Sequence, residues 1–252
     1  MIDIHAHILP GLDDGPKTIP EALALARAAW NAGTEILVAT PHVLDHLDLN
    51  HNLLILTRYE ELKRLLESEL PGLQLLLGSE LYFRPNLSNL THYEVATICG
   101  TGCYMLVEFS LIDIPGGFER ELKNLRRSGI IPVIAHPERT ASVHKRPSLI
   151  GRMVEAGALI QVNAGSLTGL FGRVVKRLAH NLLKKGWVHV IASDAHDLNQ
   201  RGPDLQAAVS AAAEIVGVAE AGRLVRDNPR MIIEGWPWPE ENVLEFTAGG
   251  TR

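Results

Sequence analysis

The sequence is poor in cysteine, in basic runs and in long uncharged apolar stretches, and each shortage closes off a class of protein. Cys99 and Cys103 are the 2 cysteines among 252 residues, too few for a disulfide framework, and their spacing is neither a redox nor a zinc CxxC, so both are read as buried thiols. Neither has an arginine six positions on, because Met105 and Phe109 stand there, which disfavours a cysteine-nucleophile phosphatase. No basic run exceeds Arg126-Arg127 or Lys184-Lys185, and 24 Lys and Arg against 29 Asp and Glu give a formal charge of -5. A nucleic-acid partner is not expected on that balance. His5, His7, Asp13 and Asp14 interrupt the start of the chain at once, so neither a secretory leader nor insertion into a membrane is expected, and the reading points to the cytoplasm. Phosphate and nucleophile motifs are missing as well: there is no GxxxxGK[ST], GxGxxG or GxSxG, and Gly165-Ser166-Leu167-Thr168-Gly169 lacks the lysine of a P-loop.

What is present is a series of apolar, strand-like runs that end in metal-competent side chains. Ile4 leads into His5-Ala6-His7, Glu35 to Thr40 into Pro41-His42, and Leu73 to Leu77 through Gly78-Ser79 to Glu80. Tyr104 to Val107 ends in Glu108, Ile131 to Ala135 in His136, and Val188 to Ser193 in Asp194-Ala195-His196. With Ala158 to Val162 this makes seven βα units. Helical patterns follow the strands: Thr18 and Glu21 can form a capping box ahead of Ala22 to Trp30, and further helices are expected over 52–68, 117–128, 147–156, 171–185 and 203–216.

Such alternation gives an α/β fold with parallel strands wrapped by helices. Closing the sheet gathers every strand's carboxyl end around one mouth, whereas an open sheet would spread them along an edge. The expected fold is therefore an irregular seven-stranded, TIM-like (β/α)7 barrel. One domain is expected over 1–252, with a tail from about Trp236.

Side chains at i and i+2 of a strand share a face, so His5 and His7 can chelate one ion. A lone HxH is equally two polar residues on a wet strand. What shifts the balance is that His42, Glu80, Glu108, His136, Asp194 and His196 occupy the same topological position. Imidazoles and carboxylates without thiolates suit manganese, iron or zinc in a catalytic site, and a bridging carboxylate can hold two cations together. Asp194 could instead cap a helix. Asp14, in Gly11-Leu12-Asp13-Asp14-Gly15, could be a turn residue or a ligand. His46, His51, His92, His144, His180 and His189 are left as surface or core residues. Arg139 and Arg201 follow His136 and His196 on the same mouth and could grip a phosphoryl group with paired hydrogen bonds, or pair with Glu138 and Asp197.

With these residues placed, the chain resembles the PHP superfamily of metal-dependent phosphoesterases, and within it the protein-tyrosine phosphatases of bacterial capsule and exopolysaccharide operons. The stretches that carry the resemblance are Met1 to Gly15, Ala39-Thr40-Pro41-His42, Gly78-Ser79-Glu80, Val107 to Ser110, Ile134 to Arg139, Asn163 to Ser166 and Ser193-Asp194-Ala195-His196. The loop Leu9-Pro10-Gly11-Leu12-Asp13-Asp14-Gly15 is the most specific of them. Ala6 departs from the serine common in the family, and 43–52 is unusually rich in His, Asp and Leu.

The resemblance implies three divalent or trivalent metal ions, manganese first and iron or zinc next. His5, His7, Glu80 and Asp194 would hold one, and Glu80 would bridge to a second held by Glu108 and His136. His42 and His196, with Asp14, would hold the third, while Arg139 and Arg201 would bind the phosphoryl group. The implied substrate is the phosphotyrosine tail of a membrane-associated tyrosine autokinase that controls polysaccharide assembly. Tyr82 and Phe83 could stack on the phenolic ring, or pack under a loop. A histidinol-phosphate type phosphatase and an inactive module that sequesters the kinase tail are the competing expectations.

Overall fold

A computed structural model describes residues 1–239, so the tail expected from about Trp236 lies mostly outside the described residues. The strands are β1 (Ile2–Ala6), β2 (Ile36–Ala39), β3 (His42–Val43), β4 (Gln74–Leu77), β5 (Glu80–Tyr82), β6 (Tyr104–Glu108), β7 (Ile131–Ala135), β8 (Leu159–Asn163) and β9 (Val190–Ala192). Every laddered pair is parallel. The helices are α1 (Ile19–Asn31), α2 (Leu49–Glu69), α3 (Phe118–Arg127), α4 (Ala141–Lys145), α5 (Ser148–Glu155), α6 (Ala164–Thr168), α7 (Arg173–Lys184), α8 (Leu205–Val216), α9 (Val218–Arg223) and α10 (Asp227–Ile233). The α/β fold with parallel strands is as expected from the sequence.

The strands do not form one continuous ring of hydrogen bonds. They fall into two sheets, β1-β2-β4 and β3-β5-β6-β7-β8-β9. Two of the seven expected runs are split, at Thr40-Pro41 and at Gly78-Ser79. Pro41 has no N–H to give to a ladder, which is a physical reason for the break. Beyond it, the chain changes sheets and His42 pairs with Glu80. At the far edge, the segment after β9 bridges to β1: the Asp194 N–H donates to the His5 carbonyl and the His7 N–H to the Ala195 carbonyl, both at 2.8 Å.

Both sheets contribute to one interior. Ile2, Ile4, Ile36 and Val38 from the smaller sheet pack with Leu106, Val133, Leu159 and Val190 from the larger, while the helices cover the outside with a second apolar cluster. The pairing register of β1 on β2 shifts between Asp3 and Ala6. This bulge changes which residues face inward: Ile2 and Ile4 fill the interior, and His5, their neighbour of opposite parity, faces inward too. Asp3, fully buried, pins the bulge by accepting from the N–H groups of His5 (3.3 Å) and Ser193 (3.0 Å).

Helix starts follow their caps. The Thr18 hydroxyl accepts from the Glu21 N–H at 3.4 Å and the Glu21 carboxylate accepts from the Thr18 N–H at 3.3 Å, completing the expected capping box. Helix α2 begins earlier than Asn52 because Asp48 caps it, accepting from the His51 N–H at 2.8 Å. The short helices α4, α6, α9 and α10 were not anticipated, since five to seven residues show too little of a 3.6-residue period. Cys99 and Cys103 are free but half-buried, at the amino end of β6, and burial pushes the Cys99 thiol up to about 12.

At the amino-terminal end of the strands, Trp236 to Pro239 folds back against the interior. The Tyr104 hydroxyl donates to the Trp236 carbonyl at 2.6 Å, and the Trp238 ring meets His189 edge-on at 5.8 Å. His189 is buried, with Nδ1 accepting from the Ile160 N–H at 3.0 Å, and burial pushes its imidazole down to about 4.

A folded pKa below the unfolded one means that the unfolded chain takes up the proton first, so His189 opposes folding as pH falls from about 6.5 toward 4 and has no such effect above that window. Between pH 7.5 and 5, urea unfolding of the protein is expected to lose on the order of 2 kcal/mol more than that of a His189→Gln variant. Parallel pH slopes for the two proteins would refute this.

Candidate metal centre

All nine sequence-predicted ligands meet at the end of the fold where β1, β2, β4, β6, β7 and β9 finish and β3 and β5 begin. His5 lies on β1 with His7 just beyond it, and His42, Glu80 and Glu108 lie on β3, β5 and β6. His136 follows β7, and Asp194 and His196 follow β9. Two of them sit on left-handed backbone, His136 at φ 30° and Asp194 at φ 55°. Non-glycine residues in that region are held there at a cost, and both are turned from the strand line toward the cluster. Asp194 starts no helix, so the capping alternative does not apply.

The donor atoms sort into overlapping groups: His5, His7 and Glu80; His5, His136 and Asp194; His42, Glu80 and Glu108; and His7, Asp14, His42 and His196. In the first, the His5 and His7 Nε2 atoms are 3.2 Å apart and lie 3.3 and 3.2 Å from Glu80 Oε2. Asp194 Oδ1 lies 3.4 and 3.5 Å from the same two nitrogens. Ligands about 2.1 Å from a tetrahedral ion stand about 3.4 Å apart, so the His5, His7 and Glu80 atoms have the spacing of three of a metal's corners, while Asp194 groups with His5 and His136. Glu80 also reaches His136 at 2.9 Å and His42 at 3.0 Å, and Glu108 stands 3.6 Å from His42 and 3.8 Å from His136. Asp14, the most exposed of the nine, lies 3.0 Å from His196 Nε2 and 3.6 Å from His42 Nε2.

The far nitrogens of three imidazoles are tied down. His5 Nδ1 meets Gln161 Oε1 at 3.0 Å, His7 Nδ1 meets Asp13 Oδ2 at 2.7 Å, and His196 Nδ1 meets the Asp194 carbonyl at 2.9 Å. Each acceptor fixes the proton on Nδ1 and turns the Nε2 lone pair to the centre, as metal-bound histidines require. Gln161 is itself held, donating to Asn163 Oδ1 at 2.8 Å, and Asn163 donates to Asp194 Oδ2 at 2.6 Å. A relay of buried amides thus runs from His5 to Asp194.

Sequence reasoning missed these supporting residues. Gln161 and Asn163 alternate along an ordinary-looking strand, and nothing local marks them. Asp13 did have a signal, because it shares the Asp-Asp-Gly loop with Asp14. It accepts from the N–H groups of Gly15 (2.9 Å) and His42 (3.0 Å), and although burial opposes its charge, His7 holds its carboxyl at about 2. Gly15 is required there, since a Cβ would come within 2.4 Å of the His7 carbonyl oxygen.

Electrostatics favour cations at the centre. Burial disfavours charge on every group, yet His5 and other imidazoles hold the Asp194 and Glu80 carboxyls well below their usual range, while Glu80 and Asp13 among others raise His5 and His7. Burial and the charge of Glu80 raise Glu108. Among the described residues, Glu80 Oε2, Asp194 Oδ1, His42 Nδ1 and His196 Nε2 are buried without an aligned hydrogen-bond partner. Unpartnered atoms within adjoining ligand groups made only of N and O fit hard or borderline divalent ions.

Arg139 and Arg201 both reach Asp194 Oδ2, at 2.8 and 2.5 Å, and neither pairs with Glu138 or Asp197 as the plain alternative had it. Glu138 points inward and accepts from Ser166 Oγ (2.6 Å) and the Asn163 N–H (3.0 Å), and Asp197 accepts from the N–H groups of Asn199 and Gln200. The Arg139 guanidinium also lies 4.3 Å over the Phe171 ring. Of the aromatic pair, Phe83 stacks on Phe109 at 4.5 Å and belongs to the packing. His46, His51, His92, His144, His180 and His189 join no ligand group among the described residues.

Comparison with known proteins places the chain in a family. Residues 1–234 match the family model described as capsular polysaccharide synthesis, CpsB/CapC. The tyrosine-protein phosphatase YwqE of Bacillus subtilis is 33% identical, with 92% of this chain and 91% of that protein covered. The putative tyrosine-protein phosphatase CapC of Staphylococcus aureus is 35% identical over 80% and 79% of the two chains. The crystal structures of YwqE and of CpsB from Streptococcus pneumoniae, described as metal-dependent tyrosine phosphatases, provide a match with a TM-score of 0.87, 32% identity and coverage of 94% and 96%.

Replacing Gln161 by Leu frees the His5 ring, and affinity for manganese, measured by competition with a fluorescent chelator, is expected to fall by about 10- to 100-fold with the far-ultraviolet dichroism unchanged. Wild-type affinity in that variant would show that His5 needs no such anchor.

Proposed function

The chain belongs to the CpsB/CapC family of capsular polysaccharide synthesis, and we propose that it is a metal-dependent protein-tyrosine phosphatase. The observation that carries this reading is the convergence of five imidazoles and four carboxylates, Glu80 among them, with two guanidiniums fixed at the edge. We assign three ions, manganese first with iron or zinc as alternatives. His5, His7, Glu80 and Asp194 would hold one, Glu80, Glu108 and His136 a second, and His42, His196 and Asp14 the third. Two proximities refine that division: His42 also approaches Glu80 and Glu108, and His7 also joins the Asp14 group.

Bound ions would supply Lewis acidity toward phosphoryl oxygens and a nucleophilic water at neutral pH. The protein supplies the rest. Arg139 and Arg201 each use an N–H on Asp194 and keep others for a phosphoryl group, and a guanidinium can take two of its oxygens at once. Phe171 beneath Arg139 limits its swing. Asp194 therefore joins the two halves of the site, one oxygen toward the imidazoles and the other toward the guanidiniums, so that the group that binds phosphate is aligned with the group that positions the ions. Among the described residues no side chain is placed as a covalent nucleophile: the two thiols are free and lie at the opposite end of the strands.

The two parallel sheets, which share one interior and are bridged between β1 and the segment after β9, support a single domain over 1–252 built as an irregular seven-stranded (β/α)7 barrel. No helix among the described residues is long and apolar enough to cross a membrane, which is compatible with the cytoplasmic site we propose. The family's part in capsular polysaccharide synthesis supports, as substrate, the phosphotyrosine tail of a membrane-associated tyrosine autokinase.

Chelation followed by gel filtration is expected to abolish hydrolysis of a phosphotyrosine peptide, and added manganese to restore it. Arg139→Ala is expected to lower kcat/KM on that peptide by about 100-fold. Full activity after chelation, or a faster rate on histidinol phosphate than on the peptide, would overturn the assignment.

A further inference from the structure

The loop between β3 and α2 forms the outer wall of a cavity that begins at the metal centre. Its volume is about 630 Å³, and its lining joins Asp14 and His42 of the centre to Leu12, Leu44, Asp45 and Asp48. Sites that enclose a whole small ligand span roughly 300 to 1,000 Å³, so this space accepts more than one aromatic side chain. A phosphoryl group held by the centre would send its ester oxygen and ring outward past Leu12 and Leu44. The residues on either side of that tyrosine would then run along the 44–51 loop.

This wall carries the carboxylates Asp45 and Asp48 and the imidazoles His46 and His51. No Lys or Arg occurs from Val43 to Thr57. Asp48 is partly committed, because its Oδ1 caps α2 through the His51 N–H at 2.8 Å. Asp45 is exposed and makes no ion pair among the described residues. Leu44 (55% exposed) and Leu49 (62% exposed) stand beside it, on the same loop and the first turn of α2. A short apolar strip with one unpaired carboxylate suits a peptide that carries a basic side chain next to its tyrosine, and disfavours one that carries an acid there.

We propose that this cavity is the subsite for the peptide segment around the phosphotyrosine, and that Asp45 selects a basic residue in that segment. The inference rests on the phosphotyrosine reading of the metal centre. It adds a source of sequence preference that the ions and the two arginines cannot provide, since those groups touch the phosphoryl end alone.

The test compares two phosphotyrosine peptides, identical except for Arg or Glu beside the tyrosine, on manganese-loaded protein. Because both rates come from one preparation, their kcat/KM ratio is independent of metal loading. The wild-type protein is expected to favour the Arg peptide by about fivefold, as suits a solvent-exposed charge pair. The ratio should approach one in Asp45→Asn, invert in Asp45→Lys, and shrink as salt is raised. A wild-type ratio near one, or a preference that survives both substitutions, overturns the inference while leaving the phosphatase reading intact. Protein that hydrolyses histidinol phosphate and neither peptide overturns both.

Discussion

Everything in this site is arranged around one buried carboxylate. Glu80 is wholly shielded from solvent, and an isolated charge in such a place would lose its proton only at great cost. It stays ionised because the rings of His5, His7, His42 and His136 surround it. Those four rings come from β1, β3 and the end of β7, so the carboxylate can be satisfied only when strands from both sheets stand in register. The metal chemistry and the mutual placement of the two sheets are thus the same constraint seen at two scales.

Asp194 plays the complementary part at the edge. Three donors on Oδ2, from Asn163, Arg139 and Arg201, leave Oδ1 to the imidazoles. An aspartate that faced the centre with both oxygens would leave the guanidiniums without an anchor. One that faced only the arginines would take its carboxylate oxygen away from the side of the centre that His5 and His7 line. The left-handed backbone at Asp194 is what lets a residue at the end of a strand face both ways.

Much of this was legible in the sequence, for a physical reason. Strand termini repeat a single geometry, so a His or Glu at the end of an apolar run carries positional information, and His5, His42, Glu108 and His136 could be placed from that alone. The two-sheet hydrogen bonding was not legible, because it depends on where Pro41 and Gly78-Ser79 interrupt ladders formed with distant partners. Nor were Gln161, Asn163 and Glu138. Each is polar within a buried segment, and a buried polar residue reveals its purpose only through the partner it meets, which lies 31 residues away for Asn163 and 28 for the Ser166 that binds Glu138. Asp13 shows the intermediate case: the loop announced an acid, but not which of two neighbours would turn inward to His7 and which would remain at the rim.

The register shift in β1 reaches beyond local geometry. A strand read strictly by twos would turn either Ile4 or His5 outward, trading a core contact for a ligand or the reverse. The extra residue releases the strand from that choice, so the lower half of β1 can evolve as packing and the upper half as chemistry. It also sets what a deletion here would do: loss of Ile4 would restore simple alternation, with Ile2 and the two histidines on one face, and would cost the interior a fully buried side chain rather than a ligand. In comparing homologous chains, a gap at this point would therefore report on how the interior is packed, while the two histidines keep their face.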